Sequence, residues 1–172
     1  MAHVSTAEQT GETLFMHRAF PIEAADQLSG MLDRFERRKL IYSFPPELPE
    51  GFTLPDGVQQ SAQFAQEHGL TVNTAILKCY RARDTYQSAA YKPHRDPAWF
   101  ATQRLMLITL CGYADLTVNS PDGSITTYPC QSGDVVITDP DAIHSVTPPL
   151  NPNGVRDFLF MGFARAEIDT IT

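Results

Sequence analysis

His94 and Asp96, in the tetrapeptide Pro93-His94-Arg95-Asp96, are followed by a second histidine, His144, and then by Arg156. Two imidazoles and one carboxylate, placed on neighbouring strands, can occupy one face of an octahedral Fe(II) and leave the opposite three positions open. The tripeptide alone says little, because a chain with five histidines in 172 residues should contain a His-x-Asp by chance about once in three such sequences. Context strengthens it. A turn-rich strand pattern places His94 and His144 at strand ends, and Arg156 opens the strand that follows His144. His3 and His17 read as ordinary core or surface residues, and His68, beside Gly69, as a helix-end residue.

The elements that must position these residues can be read from periodicity. Residues 1–12 are a polar lead-in, and Thr13 to Phe20 predicts a short strand. Pro21 then opens a helix with Glu23 in its first turn, where both suit the helix start. Ile22, Ala25, Leu28, Leu32 and Phe35 recur at three- and four-residue steps and make one apolar face. Arg34, Arg37, Arg38 and Lys39 read as the cationic last turn of that helix, complementing its dipole, rather than as a nucleic-acid patch. Tyr42 to Gly57 carries Pro45, Pro46, Pro49 and Pro55, which forbid regular structure; it reads as a connection or as a cover over a site. Val58 to His68 predicts a second helix, stopped by Gly69.

After Gly69 the pattern is one of strands. These are expected at Thr71–Tyr80, Ser88–Pro93, Leu105–Cys111, Leu116–Asn119, Ser124–Tyr128, Val135–Thr138, Ile143–Thr147 and Val155–Phe163. The Ser120-Pro121-Asp122-Gly123 turn marks a hairpin, and Ser132-Gly133 marks another change of direction. Short strands separated by turn chemistry suit a sandwich or jelly roll. The length suits a single domain, residues 1–172, with 1–70 as helical support and Pro-rich loop and 71–163 as the β core.

Composition narrows the partners. The formal charge of −7 disfavours nucleic acid, whose non-specific binding rests on clustered Lys and Arg. Cys79, Cys111 and Cys130 contain no C-x-x-C, and an odd count suits reduced thiols better than a disulfide framework. The start of the chain is polar, and no apolar stretch approaches the ~20 residues that span a bilayer. A soluble, cytoplasmic protein with no membrane partner is the expectation.

These motifs, in this order, resemble the Fe(II)- and 2-oxoglutarate-dependent dioxygenases over roughly Thr71 to Phe163. That family has a double-stranded β-helix, a jelly-roll and cupin-like architecture; here it would be mainly β with N-terminal helices as its buttress. His94-x-Asp96 matches the family motif at the end of the second strand, and His144 matches the distal histidine on the seventh. Arg156 matches the basic residue that anchors the tail of 2-oxoglutarate, and Gly133-Asp134 resembles the turn before the sixth strand. The resemblance implies Fe(II) held by His94, Asp96 and His144, with 2-oxoglutarate and O2 as co-substrates and succinate and CO2 as products. Arg156 suits the far carboxylate, since a guanidinium fork makes two parallel charge-assisted bonds. Tyr80 is a candidate helper for 2-oxoglutarate, with a core tyrosine as the alternative. Arg104 and Thr147 are weaker candidates, and Asp157 should occupy the opposite face from Arg156.

Trp99 and Phe100 would lie near the mouth of the site and could stack against a substrate, or simply cover the core. Members that repair alkylated nucleic acid carry a second arginine six residues after the first, where this chain has Gly162. A small molecule or a protein side chain is therefore the expected substrate. A cupin-like protein that binds metal or a small ligand without turnover is the alternative from another class, and a Zn(II) hydrolase is a third. Arg156 discriminates, because neither of these needs a cation beside the metal.

Overall fold

The structure is a computed structural model, and it describes residues 13–34, 39–43, 56–70, 72–81, 92–96, 104–147, 150 and 155–163. In chain order the elements are β1 (Leu14–Met16), α1 (Ile22–Arg34), β2 (Lys39–Ser43), α2 (Asp56–Glu67) and β3 (Val72–Arg81). They continue as β4 (Leu105–Cys111), β5 (Tyr113–Asn119), β6 (Ile125–Gln131), β7 (Val135–Thr138), β8 (Ile143–Val146) and β9 (Val155–Phe163). The fold is mainly β, as expected. Six strands form one sheet in the order β1-β7-β4-β9-β3-β2, and three form a second in the order β6-β5-β8.

The two faces of the six-stranded sheet have different jobs. On its outer face Met106, Ile108, Leu110, Val135 and Ile137 pack with Phe20, Ala24, Ala25 and Leu28 around α1, and with Val58 and Ala65 of α2. On its inner face Leu105, Leu107 and Val136 pack against Leu116, Val118 and Val146 of the small sheet. β4 therefore has no wet face, which is why its sequence is a continuous apolar run rather than an alternating one. β5 borders only one core, and its buried positions alternate at Ala114, Leu116 and Val118.

Three expectations need correction. The cationic run after α1 is not all helix: α1 ends at Arg34, and Lys39 begins a strand that pairs with β3. A cation after an amphipathic helix fits either a last turn or a strand start, and pairing with β3 decides for the strand. Of the expected apolar face of α1, Ala25 and Leu28 are buried, with Ala24 beside them, but Ile22 is 39% exposed; the Leu32 side chain and Phe35 lie outside the described residues. β5 begins three residues before Leu116, because Gly112, at φ +84°, lets the chain cross between sheets and resume pairing at once. The residues between Ser43 and Asp56, most of the Pro-rich segment, lie outside the described residues, as do residues 88–91 of the expected second strand.

The turn from β6 to β7 ties the segment between β1 and α1 to the core. Gly133 takes φ +85°, and its carbonyl accepts a hydrogen bond from the Phe20 N–H at 3.0 Å. The buried Asp134 carboxylate accepts from the backbone N–H of Arg18 at 2.8 Å and of Gln131 at 2.9 Å. His17 Nδ1 lies 2.9 Å from the same carboxylate. A Cβ at Gly133 would lie 2.9 Å from Ile22 Cδ1 and 3.1 Å from the Phe20 carbonyl oxygen. Gly133→Ala therefore meets both a left-handed backbone and a clash, and should cost about 1–3 kcal/mol. Urea unfolding of the variant measures it; an unchanged midpoint would mean that the turn relaxes freely.

Candidate metal centre

His144 lies on β8, directly opposite Val118 of β5, on the face that packs into the inner core. Its strand has a second neighbour on the free side. The His94 N–H donates to the His144 carbonyl at 3.0 Å, and the His144 N–H donates back to the His94 carbonyl at 2.9 Å. This is one rung of an antiparallel ladder, an isolated bridge outside the named strands. Residues paired in this way share a face, so both imidazoles fall on one side, with ring centroids 4.5 Å apart. Two residues on from His94, Asp96 Oδ2 reaches to 3.5 Å from His144 Nε2. One ligand atom from each of His94, Asp96 and His144 lies within 4.8 Å of the other two.

The chemistry of these donors fits a divalent metal. Asp96 Oδ2 is buried and accepts no hydrogen bond from any described residue, a costly state for a carboxylate that a cation would relieve. His94 Nδ1–H donates to the Lys92 carbonyl at 2.7 Å, which fixes the tautomer and leaves the lone pair of Nε2 for a metal. Burial pushes the His144 imidazole below its usual range; Asp96 pulls it up, His94 pushes it down further, and a hydrogen bond with the Ala142 backbone pulls it up. The net direction favours neutral imidazole, the ligating form.

The remaining expected site residues divide by where the backbone puts them. Arg156, on β9, is the register partner of Tyr80, on β3. On β9 the alternation 156, 158, 160, 162 follows Phe160, which pairs with Leu107 of the inner face, so Arg156 and Tyr80 lie on that face and Asp157 on the other. Arg104 precedes β4 and is half-buried near Asp139; burial lowers its pKa, and the Asp139 charge opposes this. Thr147 is structural: its Oγ1 accepts from the Asp115 N–H at 2.9 Å, and its own N–H donates to the Asp115 carbonyl at 3.0 Å. His68 is a helix-end residue, as expected, with Nδ1–H donating to the Phe64 carbonyl at 2.8 Å. Trp99 and Phe100 lie outside the described residues. The orienting carbonyl of Lys92 was not legible beforehand, since a main-chain acceptor leaves no mark on the sequence.

No protein-family model matches the chain, and no curated protein sequence matches it. Solved structures do. A prolyl-4-hydroxylase from Pseudomonas putida superposes with a TM-score of 0.62 at 14% identity, over 91% of this chain and 94% of its own. AviO1 from Streptomyces viridochromogenes Tue57 gives 0.60 at 17% identity, over 91% of each chain. SnoN, a non-heme alpha-ketoglutarate-dependent epimerase of nogalamycin biosynthesis, gives 0.60 at 11% identity, over 88% of this chain and 76% of its own. At these identities the likeness shows a shared fold, and at that level the resemblance read from the motifs is borne out.

Two outcomes follow from this geometry. His144→Ala should abolish stoichiometric Fe(II) binding in equilibrium dialysis while circular dichroism stays that of a folded β protein; retained tight binding would sink the ligand assignment. The metal-free protein should also lose stability in acid. The folded-state pKa of His144 is lowered, so the unfolded chain takes up the proton first. That contribution is present above about pH 6.5 and is lost as the pH falls below it. The slope of unfolding free energy against pH in this window should shrink in His144→Gln.

Proposed function

We propose that this chain is an Fe(II)- and 2-oxoglutarate-dependent oxygenase that oxidises a small molecule or a protein side chain. The observation that carries the reading is the pairing of two constellations. His94, Asp96 and His144 meet at the edge of the small sheet, and Arg156 and Tyr80 are register partners on the inner face of the large one. The finer fold reading is a double-stranded β-helix. It is supported by the strand orders, in which the His94 segment adds a fourth member beside β8. The likeness to a prolyl-4-hydroxylase and to an alpha-ketoglutarate-dependent epimerase supports the same chemistry.

In this reading His94, Asp96 and His144 would hold Fe(II), which when bound supplies open positions for 2-oxoglutarate and O2 and the oxidising power of their reaction. The chain's own residues do the rest. Asp96 contributes the single negative charge of the ligand set, so the loaded site keeps a net positive charge that favours an acid co-substrate. Lys92, through its carbonyl, holds the His94 ring in the ligating tautomer. Arg156 binds the far carboxylate of 2-oxoglutarate, and Tyr80 adds a neutral hydrogen bond. The apolar inner face, with Leu105, Leu107, Val118 and Val146, keeps water from the reacting groups.

Succinate is the readout. Iron-loaded, reduced protein should release succinate slowly with 2-oxoglutarate and O2 alone, and faster with its substrate. A metal-binding protein without turnover, or a Zn(II) hydrolase, makes none. Arg156→Gln should weaken 2-oxoglutarate about ten- to a hundredfold, the loss of a charge-assisted pair worth about 1.5–3 kcal/mol. Anaerobic titration of the Fe(II) protein measures it, and unchanged affinity would mean a different anchor.

A further inference from the structure

A strand offers its main-chain N–H and C=O to opposite sides at alternate residues, so the bonds of β5 fix which residues of β6 face outward. The Asp115 N–H donates to Thr147 Oγ1 at 2.9 Å, and its carbonyl accepts from the Thr147 N–H at 3.0 Å, both on the β8 side. Asp115 and its register partner Pro129 are therefore a non-hydrogen-bonded pair, and so are Thr117–Thr127 and Asn119–Ile125. The Thr117 and Thr127 hydroxyls, 2.9 Å apart, show the close side-chain approach of such pairs. Ile125, Thr127, Pro129 and Gln131 thus present their main chains away from β5. β6 is the outer member of the small sheet among the described strands, and Ile125, Thr127 and Pro129 are all exposed, Ile125 by 68%.

Two of these outward positions are closed. The Gln131 N–H donates to Asp134 Oδ2 at 2.9 Å, and the Gln131 carbonyl accepts from the Asp134 N–H at 2.9 Å. Pro129 has no N–H to offer. Ile125 and Thr127 remain, and both are good strand formers. The longest ladder this edge can form with a second copy is antiparallel, with its two-fold axis at Thr127. It sets Thr127 against Thr127 of the copy and Ile125 against Pro129 of the copy. Each end of that ladder lacks one hydrogen bond, because the proline cannot donate to the opposing Ile125 carbonyl. We propose that Pro129 is an edge guard, which keeps β6 from zipping onto the β6 of a second copy. Exposed β-branched edges invite such pairing, and proline at an outward-facing position stops it without harming the sheet behind. Its place is specific. A proline at Tyr128 or Cys130, which face Leu116 and Ala114 in hydrogen-bonded pairs, would break the ladder to β5 instead.

The inference does not rest on the oxygenase reading, and its test uses the full-length protein. Sedimentation equilibrium over a concentration series compares the parent with Pro129→Thr, which restores the donor in a strand-forming residue. Pro129→Thr should self-associate at least about tenfold more tightly than the parent, the effect of a hydrogen bond regained at each end of the ladder. Adding Thr127→Pro removes the central outward donor and leaves the ladder to β5 intact, so association should return to the parent level. Pro129→Val should behave as Pro129→Thr does, so that a folding defect peculiar to one replacement does not decide the result. Circular dichroism and thermal melting check that each variant is folded. Equal association of the parent and both single variants overturns the proposal. So does association that Thr127→Pro leaves in place, since the contact then lies elsewhere on the surface.

Discussion

Two hydrogen bonds between the main chains of His94 and His144 hold the candidate metal centre together. Each histidine lies on a different stretch of chain, and neither stretch dictates where the other goes. The reciprocal rung sets them side by side, fixes which face both rings occupy, and carries Asp96 to the same place two residues later. It also explains the asymmetry of the set. His144 sits in a full strand, buried against Val118, whereas His94 is at the margin, oriented by the Lys92 carbonyl. A cluster built this way combines one member in a full strand with two at its margin.

The large sheet serves both sides of the molecule, and its strands are written accordingly. Central strands such as β4 are apolar throughout because helices cover one face and the small sheet the other. Toward β3 and β9 the inner face changes character, from Leu105 and Leu107 to the register pair Tyr80–Arg156. The inner face thus carries polar residues toward one end and an apolar core toward the other.

Much of this could be read from residue types and spacing. The helices and most strand positions follow from periodicity and turn chemistry, and His94, Asp96 and His144, which the motifs single out, do meet in one cluster. What resisted was information held between segments. Lys39 follows an amphipathic helix and has a helix-end composition; only pairing with β3 shows that it begins a strand opposite Lys78. The start of β5 was hidden because Gly112 and Asp115 dilute the β pattern, although Ala114 is fully buried. Thr147 had the right type for a site helper, yet both its Oγ1 and its N–H are committed to Asp115. Strand register and backbone acceptors are properties of pairs, and a single line of sequence specifies them weakly.

The clasp around Asp134 has a consequence for how the chain is made. Arg18 and the carboxylate that receives its N–H are 116 residues apart, and Thr13 and Thr138, joined at the other end of β1, are separated by 125. Closing so long a loop is entropically expensive until other contacts shorten it, so pairing of β7 with β4 lowers the cost of adding β1. Without β1, β7 would be the edge of the large sheet among the described strands, so β1 covers an apolar strand that could otherwise pair with other chains.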